Sequence, residues 1–169
     1  MESAVKLYSL SVKESKTWLF STIFVAGNII LPQICHLIPQ GGLIFLPIYF
    51  FTLIAAYKYG LAAGVLTAVL SPAINSMLFG MPVMGMVPII MAKSIILACA
   101  AAMIAKRMGR ISILGVILAV LAYQVAGSAI EWIATGSFAA AMQDLILGLP
   151  GIALQILGGY LVLKAIAKL

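Results

Sequence analysis

Lys93 is a single cation inside a long apolar stretch, which makes it the residue of this sequence best suited to hold a charged partner. An ammonium within the hydrocarbon layer costs several kcal/mol unless another charge or a polar cavity compensates it. Two interpretations stay open. In the first, the role of Lys93 is structural, and it pairs with Glu131 or reaches a lipid headgroup. In the second, it contacts a carboxylate or phosphate of a bound ligand.

Other polar or soft side chains fall at a similar depth, toward one end of the apolar stretches. With Lys93 they form the predicted substrate-binding set: His36, Tyr49, Asn75, Met81 and Glu131. Gln33 and Asp144 share that depth, and turns at 39–42, 80–82 and 135–144 close over it. The pattern predicts a pocket that opens away from the basic ends of the helices.

No metal site is predicted with this set. His36 is most consistent with a hydrogen-bonded residue at a helix end, and ligation of haem or another metal is the alternative. The methionines near Met81 are predicted to fill packing gaps, with a thioether ligand as the alternative.

Catalytic motifs are missing. The sequence contains no G-x-x-x-x-G-K-[ST], no H-E-x-x-H and no G-x-S-x-G. We therefore predict that the chain is not an enzyme and needs no cofactor of its own. Energy for uphill transport must come from a partner or from an ion gradient.

The elements that position these residues are predicted from composition. The chain has 169 residues, of which 64% are hydrophobic and 8% charged, and it is predicted to be an all-α integral membrane domain over 1–169. A crossing needs roughly 20 apolar residues. Six crossings are predicted after a cytoplasmic or interfacial segment 1–16, at 17–38, 43–57, 59–79, 84–105, 111–134 and 145–166.

The remaining basic residues fix the predicted topology. Of the ten Lys and Arg residues, all except Lys93 lie before the first predicted crossing, after the second and fourth, or at the end of the sixth. Because short cytoplasmic loops retain positive charge, both termini are predicted to be cytoplasmic. The net charge of +6 lies at membrane boundaries, which favours lipid headgroups as partners and argues against nucleic acid.

Small residues recur every fourth position at Ala56, Gly60, Gly64 and Ala68. Since helices in lipid gain no hydrophobic drive from meeting one another, such a stripe predicts close backbone approach in a compact bundle. The second predicted crossing is short and contains Pro47, so it is expected to begin as non-helical backbone packed inside the protein.

Several segments resemble the substrate-binding S components of energy-coupling factor (ECF) transporters, which are small bacterial membrane proteins with six helices. The segments are LPQICHLIPQGGLIFLP at 31–47, LSPAIN at 70–75, FGMP at 79–82 and PIIMAK at 88–93. The resemblance spans nearly the whole chain. In related chains Glu often stands at the position of Lys93.

The resemblance implies a high-affinity binding subunit for a vitamin or related micronutrient in the bacterial inner membrane. It also implies a transmembrane coupling subunit and two cytoplasmic ATPases as partners, with ATP used by those partners. Many S components dock through an Ala-x-x-x-Ala surface on the first helix, to which Thr22 and Ala26 correspond here. A self-sufficient proton-coupled carrier for a small anion is the alternative, and a membrane enzyme or assembly factor is a further one.

Overall fold

The structure is a computed structural model that describes residues 6–169. These residues are helical with short connections, and none of them forms a strand, which confirms the all-α prediction. The helices are α1 (Ser15–Cys35), α2 (Gly41–Phe45), α3 (Phe50–Tyr59), α4 (Leu61–Phe79), α5 (Val87–Met108), α6 (Ile113–Thr135), α7 (Phe138–Ile146) and α8 (Leu149–Ala165). Short 3₁₀ turns at Pro47–Tyr49 and Met84–Met86 lead into α3 and α5.

Four helices are long and apolar enough to cross a membrane: α1, α4, α5 with its preceding turn, and α6. Helices α7 and α8 form a fifth span if they are counted together, although a bend of 53° separates them. Among the described residues the chain is therefore a membrane-embedded helical bundle with four or five spans by length and composition. The second predicted crossing, 43–57, is divided between α2, the turn at Pro47–Tyr49 and α3.

Helix α3 has only 10 residues and is buried on nearly every side. At 1.5 Å per residue it is about 15 Å long, too short to cross the hydrocarbon layer alone. Helices α1, α4 and α5 pack around it, and α8 contacts it as well. A helix that is apolar all round belongs inside a bundle, which explains why this short segment forms the centre of the fold.

Asn28 fixes the start of α3. Its Oδ1 accepts the backbone N–H of Phe51 at 3.2 Å, which satisfies one of the free donors in the first turn of α3. Its Nδ2 donates to Oγ1 of Thr52 and Oγ of Ser71, both at 3.1 Å. Since buried polar groups are costly without partners, this one side chain holds α1, α3 and α4 in register.

The small residue Gly64 lies where α4 closely approaches α3 and α5. A Cβ added to Gly64 would stand 2.5 Å from Cβ of Ala56 and 3.1 Å from Cβ of Ala98. Real carbon atoms do not come that close, so only glycine fits between α3 and α5 at this point. The backbones approach closely as predicted, but the four small residues do not form one stripe on a single helix, because α3 ends at Gly60, which has a φ of +95°.

One end of the bundle gathers the chain termini and basic residues. The backbone N–H of Tyr8 donates to the carbonyl of Lys58 at 2.8 Å, and the Tyr57 hydroxyl donates to the carbonyl of Arg110 at 3.1 Å. The buried ammonium of Lys58 donates to the carbonyls of Lys6 at 2.5 Å and Ala167 at 3.0 Å. We call this the basic end, and the end that carries His36 and Met81 the opposite end.

Candidate functional site

Lys93 lies in the second turn of α5 and is paired with two carboxylates. Its ammonium donates to Oε2 of Glu131 at 2.7 Å and to Oδ2 of Asp144 at 2.5 Å. The three residues are 1%, 6% and 9% exposed, in the order Lys93, Glu131, Asp144. One ammonium against two carboxylates gives this ionic cluster a formal charge of −1 when all three are ionised.

The ionic cluster is positioned by antiparallel packing of α5 against α6. Glycine at position 127 allows the lysine chain to lie flat on α6, because a Cβ there would stand 2.9 Å from Cγ and 3.1 Å from Cε of Lys93. Glu131 follows one turn later on α6. Asp144 comes from α7. Ser137 is the N-cap of this helix, and its hydroxyl accepts the backbone N–H of Ala140 at 3.2 Å.

A chain of buried polar side chains adjoins the ionic cluster. The Tyr49 ring lies against the ring of Tyr123, with centroids 5.0 Å apart. The Tyr123 hydroxyl donates to Oε1 of Gln155 at 2.9 Å, and Nε2 of Gln155 donates to the carbonyl of Leu46 at 3.3 Å. Gln155 lies within a π-helical turn of α8, Leu154–Gly158, and such turns are frequent at functional positions.

A cavity of about 510 Å³ opens at the opposite end. Its wall is mostly apolar and comes from the end of α1, from α2, from the residues that lead into α3, and from the α4–α5 connection. The predicted site residues in its wall are His36, Asn75 and Met81. A cavity of this size with few polar groups is typical of small-molecule sites, which range over roughly 300–1,000 Å³.

Of the two polar atoms of the Asn75 side chain, Nδ2 has hydrogen-bond partners and Oδ1 has none. Pro32 has no N–H, so it leaves the carbonyl of Asn28 without its helical donor, and Nδ2 of Asn75 donates to that carbonyl at 2.9 Å. Oδ1 of Asn75 has no hydrogen-bond partner, although the residue is only 1% exposed. An unpaired buried acceptor costs about 1–3 kcal/mol, and this oxygen is itself closed to solvent, so a donor from a ligand reaches it only after a neighbouring side chain moves.

The structure thus divides the predicted substrate-binding set into two groups. His36, Asn75 and Met81 line the cavity, whereas Tyr49, Lys93 and Glu131 are buried beyond its wall. The two groups adjoin, since Ile48 and Ile90 line the cavity. Lys93 follows Ile90 by one turn of α5.

The predicted docking residues lie elsewhere. Thr22 and Ala26 are exposed on α1, one turn apart on the same outward face. They do not contribute to the cavity wall.

Two contributors to the buried polar region were not in the predicted set. Asp144 shares the predicted depth of Lys93, but its pairing depends on helix α7, which lies largely within the segment 135–144 that was predicted to be a turn. Gln155 falls within an apolar stretch as a single amide, and that isolation is the signal that could have drawn attention to it.

Within residues 6–169 no three side chains of His, Cys, Asp or Glu are grouped so that they could hold a metal ion. The sequence matches no protein-family model, no curated protein and no solved structure. The fold and the site define a class, a membrane-embedded helical bundle with a cavity and a buried ionic cluster.

Proposed function

We propose that this chain is the substrate-binding membrane subunit of an ECF-type importer, which captures a vitamin or related micronutrient and passes it to an ATP-driven coupling module. The observation that carries the proposal is the mostly apolar cavity at the end opposite the basic residues, with Asn75 among the residues of its wall. His36 and Met81 are the other proposed contacts there. The resemblance of segments 31–47 and 70–93 to S components supports the same function.

The proposed topology is six crossings in a bacterial inner membrane, with both termini in the cytoplasm. Its support is the contact of segment 6–10 with Lys58 and Tyr59 and of Lys6 with Ala167, which brings basic residues from distant parts of the chain to one end. In this arrangement α3 serves as the second crossing, shielded from lipid by its neighbours. Single cysteines at Met84 and Arg110, both exposed, should react with an impermeant maleimide from opposite sides of the membrane.

The proposed partners are one transmembrane coupling subunit and two cytoplasmic ATPases. Thr22 and Ala26 are the proposed docking residues, and their exposure on α1 leaves them free to contact another helix. Small side chains allow close approach of helices in lipid. Replacing both residues with Leu should reduce retention of the coupling subunit without changing the cavity.

Affinity purification of the tagged chain from its native membranes in mild detergent tests the proposal. Mass spectrometry should find one further membrane subunit, two ATPases and a retained small molecule. Recovery of the chain alone, under conditions that preserve other membrane complexes, would contradict it.

A second candidate function is a self-sufficient proton-coupled carrier. The observation in its favour is the ionic cluster, because ionisable residues buried in a membrane protein are typical of proton pathways. Here Glu131 or Lys93 would be the coupled group. The carrier predicts uptake driven by a pH gradient in liposomes that contain this protein alone, which an ATP-dependent subunit does not perform.

A further inference from the structure

We propose that Asp144 is an internal carboxylate that occupies the ligand's place on Lys93, and that a ligand bearing a carboxylate displaces it and moves α7 outward. The inference rests on the proposed binding function and names its ligand class. Asp144 is then a positioning residue for the closed state, and Lys93 is the residue that contacts the ligand.

The two carboxylates on Lys93 differ in how they are anchored. Glu131 belongs to α6, a continuous helix of 23 residues that packs extensively on α5. Asp144 belongs to α7, which has nine residues and buries only Ala141 and Asp144. An element with so few buried apolar contacts opens at low cost in free energy, so Asp144 is the partner that can leave.

The connections of α7 permit such a movement. Before it, Gly136 has a φ of +67°, a conformation that glycine adopts without strain. After it, Leu147 and Gly148 form the bend of 53° toward α8. At the outer edge the ring of Phe138 packs on that of Trp132, with centroids 5.2 Å apart. This contact anchors the first turn of α7, whereas Asp144 anchors the last.

Hydrogen bonding, and not net charge, favours exchange over simple opening: without Asp144, Lys93 and Glu131 form a neutral pair, but the buried ammonium loses an acceptor. If Asp144 left alone, Lys93 would lose one of its two partners inside the protein. If a ligand carboxylate replaces it, Lys93 keeps two carboxylates and Asp144 gains water, so no additional charge is buried without a partner. An external carboxylate is therefore the group whose arrival makes the movement of α7 favourable.

The cavity gives the ligand a route. Ile90 lines the cavity, and Lys93 lies one turn further along the same helix. Ile48 lines it as well, directly before the buried Tyr49. The cavity wall thus comes within one helical turn of Lys93, and in the proposal a ligand passes from the cavity to Lys93 at this point when α7 moves outward.

Chemical rescue with formate tests the binding step. Asp144→Ala removes the internal carboxylate and leaves a space beside Lys93. Sodium formate should raise the unfolding temperature of purified Asp144→Ala in a saturable manner, by several degrees beyond sodium chloride at equal ionic strength. The Asp144→Ala/Lys93→Met protein should respond to both salts alike. Equal responses to both salts by Asp144→Ala itself would overturn the proposal.

Cysteine accessibility tests the movement. Ala141 is 1% exposed, so a cysteine at 141 in a chain without Cys35 and Cys99 reports opening of α7. Asp144→Ala should raise its rate of maleimide labelling about tenfold or more, because the anchor of the last turn is lost. Ser94→Cys, also buried, should stay unlabelled in the same background and so show that the bundle remains folded. An unchanged rate at 141 would overturn the movement.

If Asp144→Ala does not fold, Asp144→Asn keeps the side-chain volume and the labelling test applies to it unchanged. Both tests use the isolated protein. If formate stabilises Asp144→Ala but affinity purification retains no ATPases, the role of Asp144 stands and the importer function is contradicted. If ATPases are retained but formate has no specific effect, the importer function stands and the role of Asp144 is contradicted.

Discussion

Nζ of Lys93 lies 2.5 Å from Oδ2 of Asp144, although 51 residues separate them in the chain. The contact joins α5 to α7, and Glu131 on α6 forms the second contact. The charge of the buried Lys93 ammonium is thereby compensated by two carboxylates. The stability of the bundle therefore depends on the same three side chains that form the proposed site for a charged ligand.

Lys93→Met should lower the unfolding temperature in detergent substantially, because it leaves two buried carboxylates without their cation. Removal of one partner from a buried ion pair costs about 3–5 kcal/mol. The triple variant Lys93→Met/Glu131→Gln/Asp144→Asn should regain most of that loss, since no charge remains to be compensated. Lys106→Met, at an exposed position, is the control. Equal unfolding temperatures for Lys93→Met and Lys106→Met would contradict the prediction.

Gly127→Ala should destabilise the protein and displace Lys93. The added methyl would stand 2.9 Å from Cγ of Lys93, near the backbone end of that side chain where it has little freedom to move. Overpacking of this kind costs about 1–3 kcal/mol. Gly85→Ala is the matched control, because a Cβ there meets nothing within 4 Å. Thermal unfolding of the two variants gives the comparison, and a smaller loss for Gly127→Ala than for Gly85→Ala would refute it.

Asn28→Ala should cost about 1–3 kcal/mol, because it leaves the N–H of Phe51 buried without an acceptor. Hydrogen exchange should rise in the first turn of α3. Thr22→Ala on the same helix is the comparison, since its exposed hydroxyl bonds only to the carbonyl of Trp18 and surface changes usually stay within about 0.5 kcal/mol. Protection of Phe51 equal to that of the unmodified protein would show that Asn28 is dispensable.

Lys58→Met should loosen both terminal segments together. The ammonium of Lys58 donates to carbonyls of Lys6 and Ala167. Its loss leaves the Lys6 carbonyl without this donor and leaves the Ala167 carbonyl with only the backbone N–H of Lys6. Hydrogen exchange should increase at 6–10 and at 166–169 by similar factors, while α6 is unaffected. An increase confined to one terminus would mean that Lys58 does not couple them. Lys106→Met again supplies an exposed lysine for comparison.

The features predicted from sequence are those that depend on composition and spacing. The long apolar stretches of α1, α4, α5 and α6 are confirmed as helices of membrane-spanning length. The small side chains of Ala56 and Gly64 allow close approach as predicted, although the two residues face each other from α3 and α4 and do not share one helix. These properties follow from local sequence, because hydrocarbon accepts only helices with satisfied backbones and small residues allow those helices to approach.

The features that escaped prediction depend on tertiary contacts more than on local sequence. Pro47 predicts a break before α3, but not the conformation of Leu46, which has a φ of 45° and a ψ of 47°, a left-handed conformation that leucine seldom adopts. The carbonyl of Leu46 is held by Gln155 from more than a hundred residues away, so the conformation depends on tertiary packing. The bend after α7, which brings Asp144 to Lys93, likewise depends on packing against α6.

The contact of Lys58 with both terminal segments imposes an order on biogenesis. Lys6 and Lys58 leave the ribosome early, but Ala167 is made after α6 and α8 have been synthesised. Until then the Lys58 ammonium lacks one of its carbonyl partners, and Tyr8, whose hydroxyl donates to the carbonyl of Leu169 at 2.7 Å, lacks its own. The segment 6–10 thus has two sets of partners: Lys58 and Tyr59, which follow it closely in synthesis, and Ala167 and Leu169, which follow α8.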